Sequence, residues 1–334
     1  MSVDDRFVPL RSAPVPQRPE PDASAAGASL DLAGIVARLR AARARWRESQ
    51  DRPREISGRE LPSREALAAI VDGLRGALFP MRLGPPDLRQ ESEDYYVGST
   101  LDTALHALLA QVRLELHYHA RFVGESTARL EQRTLEVVRE FGAALPRIRE
   151  LLDTDVLAAY HGDPAARSVD EVLVCYPGLH AMIHHRLAHQ LHVLGVPLLA
   201  RIVAELAHGD TGIDIHPGAQ IGSHFFIDHG TGVVIGETAV IGRNVRIYQA
   251  VTLGAKRFAA DAEGHLQKGG ARHPIVEDDV VIYAGATVLG RVTIGCGASI
   301  GGNVWLTRSV PAGSRIAQAN ALDDRVVDTA GVGG

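Results

Sequence analysis

Six residues in the C-terminal half of the chain carry side chains suited to acid–base or binding chemistry: Asp214, His216, Asp228, His229, Arg272 and His273. An imidazole oriented by a carboxylate is a general base able to take the proton of an alcohol, which makes the alcohol a nucleophile. Asp214 stands fifteen residues before His229. In a chain that coils once per about eighteen residues, the two fall on neighbouring coils ~4.8 Å apart. A lateral offset of three residues remains, so the spacing brings them near without making the hydrogen bond. Asp228-His229 directly follow an inward-pointing isoleucine and are expected to project outward.

The element that must hold these residues is a repeat with a period of six. An aliphatic residue recurs at Ile215, Ile221 and Ile227, resumes at Ile235, Ile241, Ile247 and Leu253, and resumes again at Val276, Ile282, Val288, Ile294, Ile300 and Leu306. Four residues after most of them stands a small or β-branched residue, among them Ala219, Thr231, Ala239, Val245, Val280 and Ala286, with Phe225 the large exception. One unit is a short strand plus a turn, with the aliphatic residue and its companion facing inward. Three units close a coil of a parallel β-helix, so about twelve units predict about four coils. The repeat is interrupted twice. The step from Ile227 to Ile235 is eight, inserting two residues around His229-Gly230-Thr231-Gly232, and a long polar loop between Leu253 and Val276 ends in Arg272-His273-Pro274. A loop of that length in a repeat fold is functional or disordered. Val233, Val234 and Val281, beside inward positions, are candidates for contact between subunits.

Upstream the pattern is helical. Ile35, Leu39, Ala42 and Trp46 recur at helical steps in a segment also carrying Arg38, Arg40, Arg43, Arg45 and Arg47, which read as a solvated face. Ser63 is an N-cap for a helix through Leu74, with Glu65 in its first turn. Leu101 to about Phe122 and Leu130 to Leu152 read as two long helices, Asp163-Pro164 as a helix start, and Leu179 to Leu194 as a helix ended by Gly195 and Pro197. The expected organisation is a disordered Pro-rich tail over 1–28, a helical domain over 29–208, a β-helix over 209–316 with its loop at 254–275, and a tail over 317–334. The 334 residues carry a net charge of −5, 46% hydrophobic residues and two cysteines, Cys175 and Cys296. Nothing there suggests nucleic acid, a membrane surface, a disulfide framework or a four-thiolate metal site. A cytoplasmic protein is the expectation.

The residues alone leave the chemistry open. His216, His224 and His229 are an alternative zinc set of the kind β-helical carbonic anhydrases use across a subunit interface. His117, His119, His184, His185 and His189 read as structural or surface residues. Several segments, however, resemble the successive signatures of serine O-acetyltransferases: Gly212-Ile213-Asp214-Ile215-His216-Pro217, Asp228-His229-Gly230-Thr231-Gly232, Val234-Ile235-Gly236-Glu237-Thr238, Val251-Thr252-Leu253-Gly254 and Arg272-His273-Pro274. The upstream Asp163-Pro164-Ala165 and the His180 to His189 helix resemble that family's helical domain. The likeness covers about Asp163 to Pro311, and the loop length and the Ile282 to Thr287 stretch resemble a longer-chained bacterial subgroup. The order of the segments separates this family from sugar and antibiotic acetyltransferases of the same fold.

The resemblance implies an α+β protein, an all-helical domain followed by a left-handed parallel β-helix that forms a trimer or a dimer of trimers with active sites between subunits. It implies acetyl transfer from acetyl-CoA to L-serine without a metal, as the first step of cysteine biosynthesis, with L-cysteine as inhibitor. His229 is then the general base and Asp214 its orienting carboxylate. Asp163 and Asp228 hold the serine ammonium, Arg272 its carboxylate, with His273 in the same pocket, and Gly254 and Ala284 line the acetyl-CoA groove. The family's short form docks a C-terminal isoleucine into O-acetylserine sulfhydrylase. This chain ends Ala330-Gly331-Val332-Gly333-Gly334, which speaks against that complex, and the segment after Pro311 lacks the family's usual run there. Another acceptor, or a catalytically silent β-helix assembly protein, are the alternatives.

Overall fold

The structure, a computed structural model, describes residues 30–49, 61–120, 126–256 and 269–318. The tail expected over 1–28, all but two residues of the tail over 317–334, and the middle of the long loop lie outside the described residues. The chain divides into two units, the first ending at Gly58. In that first unit α1 (Leu32–Ser49) is a helix that buries none of its residues.

The second unit starts with α2 (Arg64–Leu78), whose first turn is capped as expected: the Ser63 hydroxyl accepts the Ala66 N–H at 3.3 Å. There follow α3 (Pro80–Leu83), a 3₁₀ turn at 90–92, α4 (Glu93–Ala120), α5 (Thr127–Gly162), α6 (Val169–Cys175), α7 (Pro177–Val193) and α8 (Pro197–Thr211). α5 runs past Leu152 and through Pro146 because its buried stripe, Val137, Phe141, Leu145, Ile148, Leu152 and Val156, is continuous across the proline. The helix start expected at Asp163-Pro164 is instead a turn. α6 begins later because Ser168 and Glu171 form a reciprocal cap: the Ser168 hydroxyl accepts the Glu171 N–H at 3.1 Å, and the Glu171 carboxylate accepts the Arg167 N–H at 2.7 Å. The N-terminus of α8 is capped from another helix. Fully buried Glu115 of α4 accepts the N–H groups of Leu198 and Leu199, both at 2.8 Å.

The repeat folds as three parallel ladders. The first sheet stacks β1 (Asp214–Ile215), β4 (Val234–Ile235), β7 (Thr252–Gly254), β10 (Thr287–Leu289) and β13 (Trp305–Leu306). The second stacks β2 (Gln220–Ile221), β5 (Val240–Ile241), β8 (Ile275–Val276) and β11 (Thr293–Ile294), and the third β3 (Phe226–Ile227), β6 (Arg246–Ile247), β9 (Val281–Ile282), β12 (Ser299–Ile300) and β14 (Arg315–Ile316). Every aliphatic residue of the six-residue period is the second residue of a strand, and register pairs them up the coils, as in Ile235 with Ile215 and with Leu253. The inward companion sits two residues before each. After the insertion this position is filled by Val233, fully buried, and not by Thr231, which is exposed. Val233 is therefore core rather than a subunit contact, whereas Val234 is 38% exposed. Phe225 is tolerated because it lies in the first coil, with helices beneath it instead of another coil.

That first coil presents unpaired carbonyls at the open end of the ladders, and α7 covers them. Arg186 donates to the carbonyls of Ile221 (3.1 Å) and Gly222 (2.8 Å), and His189 Nδ1–H donates to that of Pro217 (2.8 Å). Gly178 packs on the Ile227 carbonyl so closely that a Cβ would collide with it. Arg186 is itself held by the Asp155 carboxylate of α5 at 2.7 and 2.9 Å, and Asp155 also accepts the Phe225 N–H at 3.0 Å. One hydrophobic core runs from Leu67 of α2 to Val310. The boundary expected at 208/209 falls inside α8, which runs to Thr211, and one core spans both sides of it. Among the described residues no helix is long and apolar enough to cross a membrane.

Candidate active site

The two-residue insertion makes the corner that turns from the third sheet into the first. His229 adopts a left-handed backbone (φ 57), followed by Gly230 (φ 89) and Gly232 (φ 79), a run that needs glycine on both sides of Thr231. The turn lifts the His229 side chain to 72% exposure, while Asp228, only 16% exposed, lies against the coil with Oδ1 3.9 Å from His229 Nε2. Packed over this corner is the turn after α5. The Tyr176 hydroxyl donates to Asp163 Oδ2 at 2.5 Å, and the Ala165 N–H donates to Asp163 Oδ1 at 2.8 Å. These two donors hold the Asp163 carboxyl below the usual carboxylate range, helped by the nearby His229 and Arg246. The same bond pushes the Tyr176 phenol up to about 12, with Asp228 adding to the effect. Asp163, Asp228 and His229 lie in one neighbourhood, the charge of His229 acting on Asp163 and that of Asp228 on Tyr176. Tyr176 and Arg246 join them without having been expected; the Tyr176-Pro177-Gly178 helix start was the available signal.

Asp214 lies one strand away. Its strand pairs with β4 through the Asp214 N–H to Val233 carbonyl bond (2.9 Å), and the Gly232 N–H reaches the Gly212 carbonyl (2.8 Å). Within the chain no hydrogen bond joins Asp214 to His229. Asp214 instead offers a carboxylate oxygen within 4.8 Å of ligand atoms of Glu205 and His208 at the end of α8.

Arg272 and His273 sit at a different corner, where the first sheet turns into the second. Buried His273 stacks on Gly236, where any Cβ would overlap the ring. Its Nδ1 accepts the Thr238 N–H at 3.0 Å, which places the proton of the neutral ring on Nε2. Burial, reinforced by Arg272, lowers its pKa to about 4. The Thr238 hydroxyl accepts the N–H groups of Arg272 (2.9 Å) and His273 (3.1 Å), and the Arg272 guanidinium is aimed by Glu237 at 2.6 Å. Glu237 and Thr238 meet the Arg272-His273 pair only across the long loop, so sequence spacing did not reveal them. Gly254 ends β7 of the first sheet, and Ala284 stands on the turn that leads into β10 of that sheet. The Gly254 carbonyl accepts the Gly290 N–H at 2.9 Å, and that of Ala284 accepts the Asn303 N–H at 2.8 Å. His216, His224 and His229 stand on turns at three different corners, so the alternative zinc set is not assembled within the chain.

No protein-family model matches the chain. It is 60% identical over 275 residues to the protein named "Serine acetyltransferase, plasmid" of Synechococcus elongatus, a match covering 81% of this chain and 86% of that one. The chain belongs to the serine acetyltransferase family. Among solved structures it resembles Entamoeba histolytica serine acetyltransferase 1 in complex with L-cysteine, at 38% identity and a TM-score of 0.65 over 75% of this chain and 86% of that one. It also resembles serine acetyltransferase isoform 3 of that organism in complex with cysteine, at 37% identity and a TM-score of 0.63 over 75% and 81%. The fold is that of serine acetyltransferases, a helical region followed by a left-handed parallel β-helix.

Proposed function

We infer that the chain transfers the acetyl group of acetyl-CoA to the hydroxyl of L-serine, giving O-acetyl-L-serine and CoA, the first step from serine to cysteine. The observation that carries this reading is the 60% identity to a serine acetyltransferase across 81% of the chain; the corner at His229 supplies groups for the chemistry. His229 takes the serine hydroxyl proton, the alkoxide oxygen bonds to the thioester carbonyl carbon, and a tetrahedral intermediate forms. Its collapse breaks the C–S bond, and the imidazolium returns the proton to the CoA sulfur. Backbone N–H groups stabilise the oxyanion. Asp163 and Asp228 take the ammonium, and Arg272 takes the carboxylate. Asp214 orients the imidazole, which requires the exposed His229 side chain to rotate toward β1. Acetyl-CoA lies along Gly254 and Ala284.

Serine is too small to bridge the two corners of one chain. From Val233 to Glu237 the coil advances four residues, roughly 13 Å at 3.3 Å per residue, whereas one carbon separates the ammonium of serine from its carboxylate. The site therefore closes between subunits, with Arg272-His273 of one copy meeting Asp163, Asp228 and His229 of the next. We assign a cytoplasmic homotrimer, or a dimer of trimers. L-cysteine, which differs from serine by one atom, competes for the same groups. The test is CoA thiol release, with product mass, for L-serine against a panel of sugar and amino-alcohol acceptors. Serine-dependent release of O-acetyl-L-serine, inhibited competitively by L-cysteine, is expected. No stimulation by serine refutes the assignment, and a better acceptor replaces it.

A further inference from the structure

We propose that Tyr176 is a positioning residue for the substrate ammonium, acting through Asp163; the inference rests on the assignment of Asp163 as an ammonium ligand. Asp163 closes α5 at the start of a turn, where a carboxylate held only by its own backbone would be free to swing. Two donors stop it: Tyr176 on Oδ2 and the Ala165 N–H on Oδ1. A carboxylate oxygen has two acceptor directions, so each oxygen keeps one for an incoming N–H. The carboxylate is fixed without being used up.

Tyr176 is in turn fixed from both sides. Its N–H closes α6 on the Val172 carbonyl (3.1 Å), and its own carbonyl accepts the first N–H groups of α7, those of Leu179 (3.1 Å) and His180 (3.2 Å). Pro177 sets the first turn of α7, and Gly178 seats that turn on the Ile227 carbonyl, the residue immediately before Asp228. The Tyr176 hydroxyl thus carries the register of the β-helix to Asp163, so the distance between the two candidate ammonium carboxylates, Asp163 and Asp228, is set by a packed contact rather than by a mobile turn. The field of Asp228 at the Tyr176 phenol agrees with that closeness.

The experiment compares Tyr176→Phe, which deletes only the hydroxyl, with Tyr176→Leu, which also deletes the ring, in steady-state assays with both substrates varied and L-cysteine as inhibitor. Losing a hydrogen bond to a charged group predicts for Tyr176→Phe a serine KM raised roughly ten-fold. The cysteine inhibition constant should rise by the same factor, with kcat within two-fold, the acetyl-CoA KM unchanged and Tm lowered by no more than a few degrees. An unchanged serine KM and cysteine constant in Tyr176→Phe overturns the proposal. So does a fall of kcat and Tm together with a rise of both KM values in both variants, which marks a purely structural tyrosine. Absence of serine-dependent turnover in the unmodified protein is a different result, and removes the assignment of function on which the proposal stands.

Discussion

Replacing Arg186 by Met removes the bolt between the helices and the first coil while keeping most of the side-chain volume. Arg186 is 5% exposed and its partner Asp155 1%, and the guanidinium donates to both Asp155 oxygens and to two strand-end carbonyls. Removing one partner of a buried pair costs about 3–5 kcal/mol, because the remaining charge is left uncompensated. The orphaned carbonyls of Ile221 and Gly222 place Arg186→Met toward the upper end of that range. At 2–4 °C per kcal/mol for a domain of this size, Tm should fall by roughly 10 °C or more. Burial already pushes the Asp155 carboxyl up, and Arg186 opposes this. Without Arg186 the folded-state pKa rises further above the unfolded value. The contribution of Asp155 is then present below about pH 4 and lost as the pH rises through the folded pKa. The deficit relative to the unmodified protein should therefore be smaller at pH 5 than at pH 8. Adding Asp155→Leu, which removes the stranded carboxylate, should recover about 1–3 kcal/mol. Thermal unfolding followed by far-UV circular dichroism reads all three quantities. A Tm change of about 2 °C or less in Arg186→Met, or a double variant no better than the single one, refutes the role given to this pair.

Glu115 makes a complementary pH prediction. Burial raises its pKa against the opposing bonds from Leu198 and Leu199, so its contribution is complete below the unfolded carboxylate pKa and is lost as the pH rises through the folded one. The Tm advantage of the unmodified protein over Glu115→Gln should shrink from pH 4 to pH 8 in thermal scans, and a growing advantage contradicts it. His229→Ala should lower kcat by about 10²–10⁴ with little change in Tm, since the side chain is 72% exposed; near-normal turnover moves the base elsewhere, with His273 the first suspect. The His273 ring should stay neutral with its proton on Nε2 from pH 5.5 to 8 by ¹⁵N NMR, and titration near 6.5 would contradict the buried geometry.

The coils were legible in the sequence because a six-residue period leaves each aliphatic residue one possible place, inside and second in its strand. The insertion at 229–232 was legible as an interruption, yet its effect on phase was not: Thr231 and Val233 exchange roles once two residues are added to the turn. Helix starts misled at Asp163-Pro164, where the Ser168–Glu171 cap competes more strongly. Within the candidate site, neighbours were legible where the chain holds them locally, as with Asp228-His229. They were hidden where the partner comes from a distant segment, as with Tyr176 on Asp163 and Thr238 on His273. The orienting role that the family resemblance implies for Asp214 depends on a side-chain rotation of His229 that strand register does not set.

The proposed active site draws His229 from one subunit and Arg272 from its neighbour. Its most direct test is to mix His229→Ala and Arg272→Ala chains by co-expression and to measure serine-dependent CoA release at serine concentrations below KM. Each variant alone has a defect in every site. In a randomly mixed trimer roughly a quarter of the composite sites inherit both intact residues, so activity near one quarter of the unmodified level is predicted. If the mixture is no more active than the better of the two variants, both residues act within one chain, and the composite site is wrong.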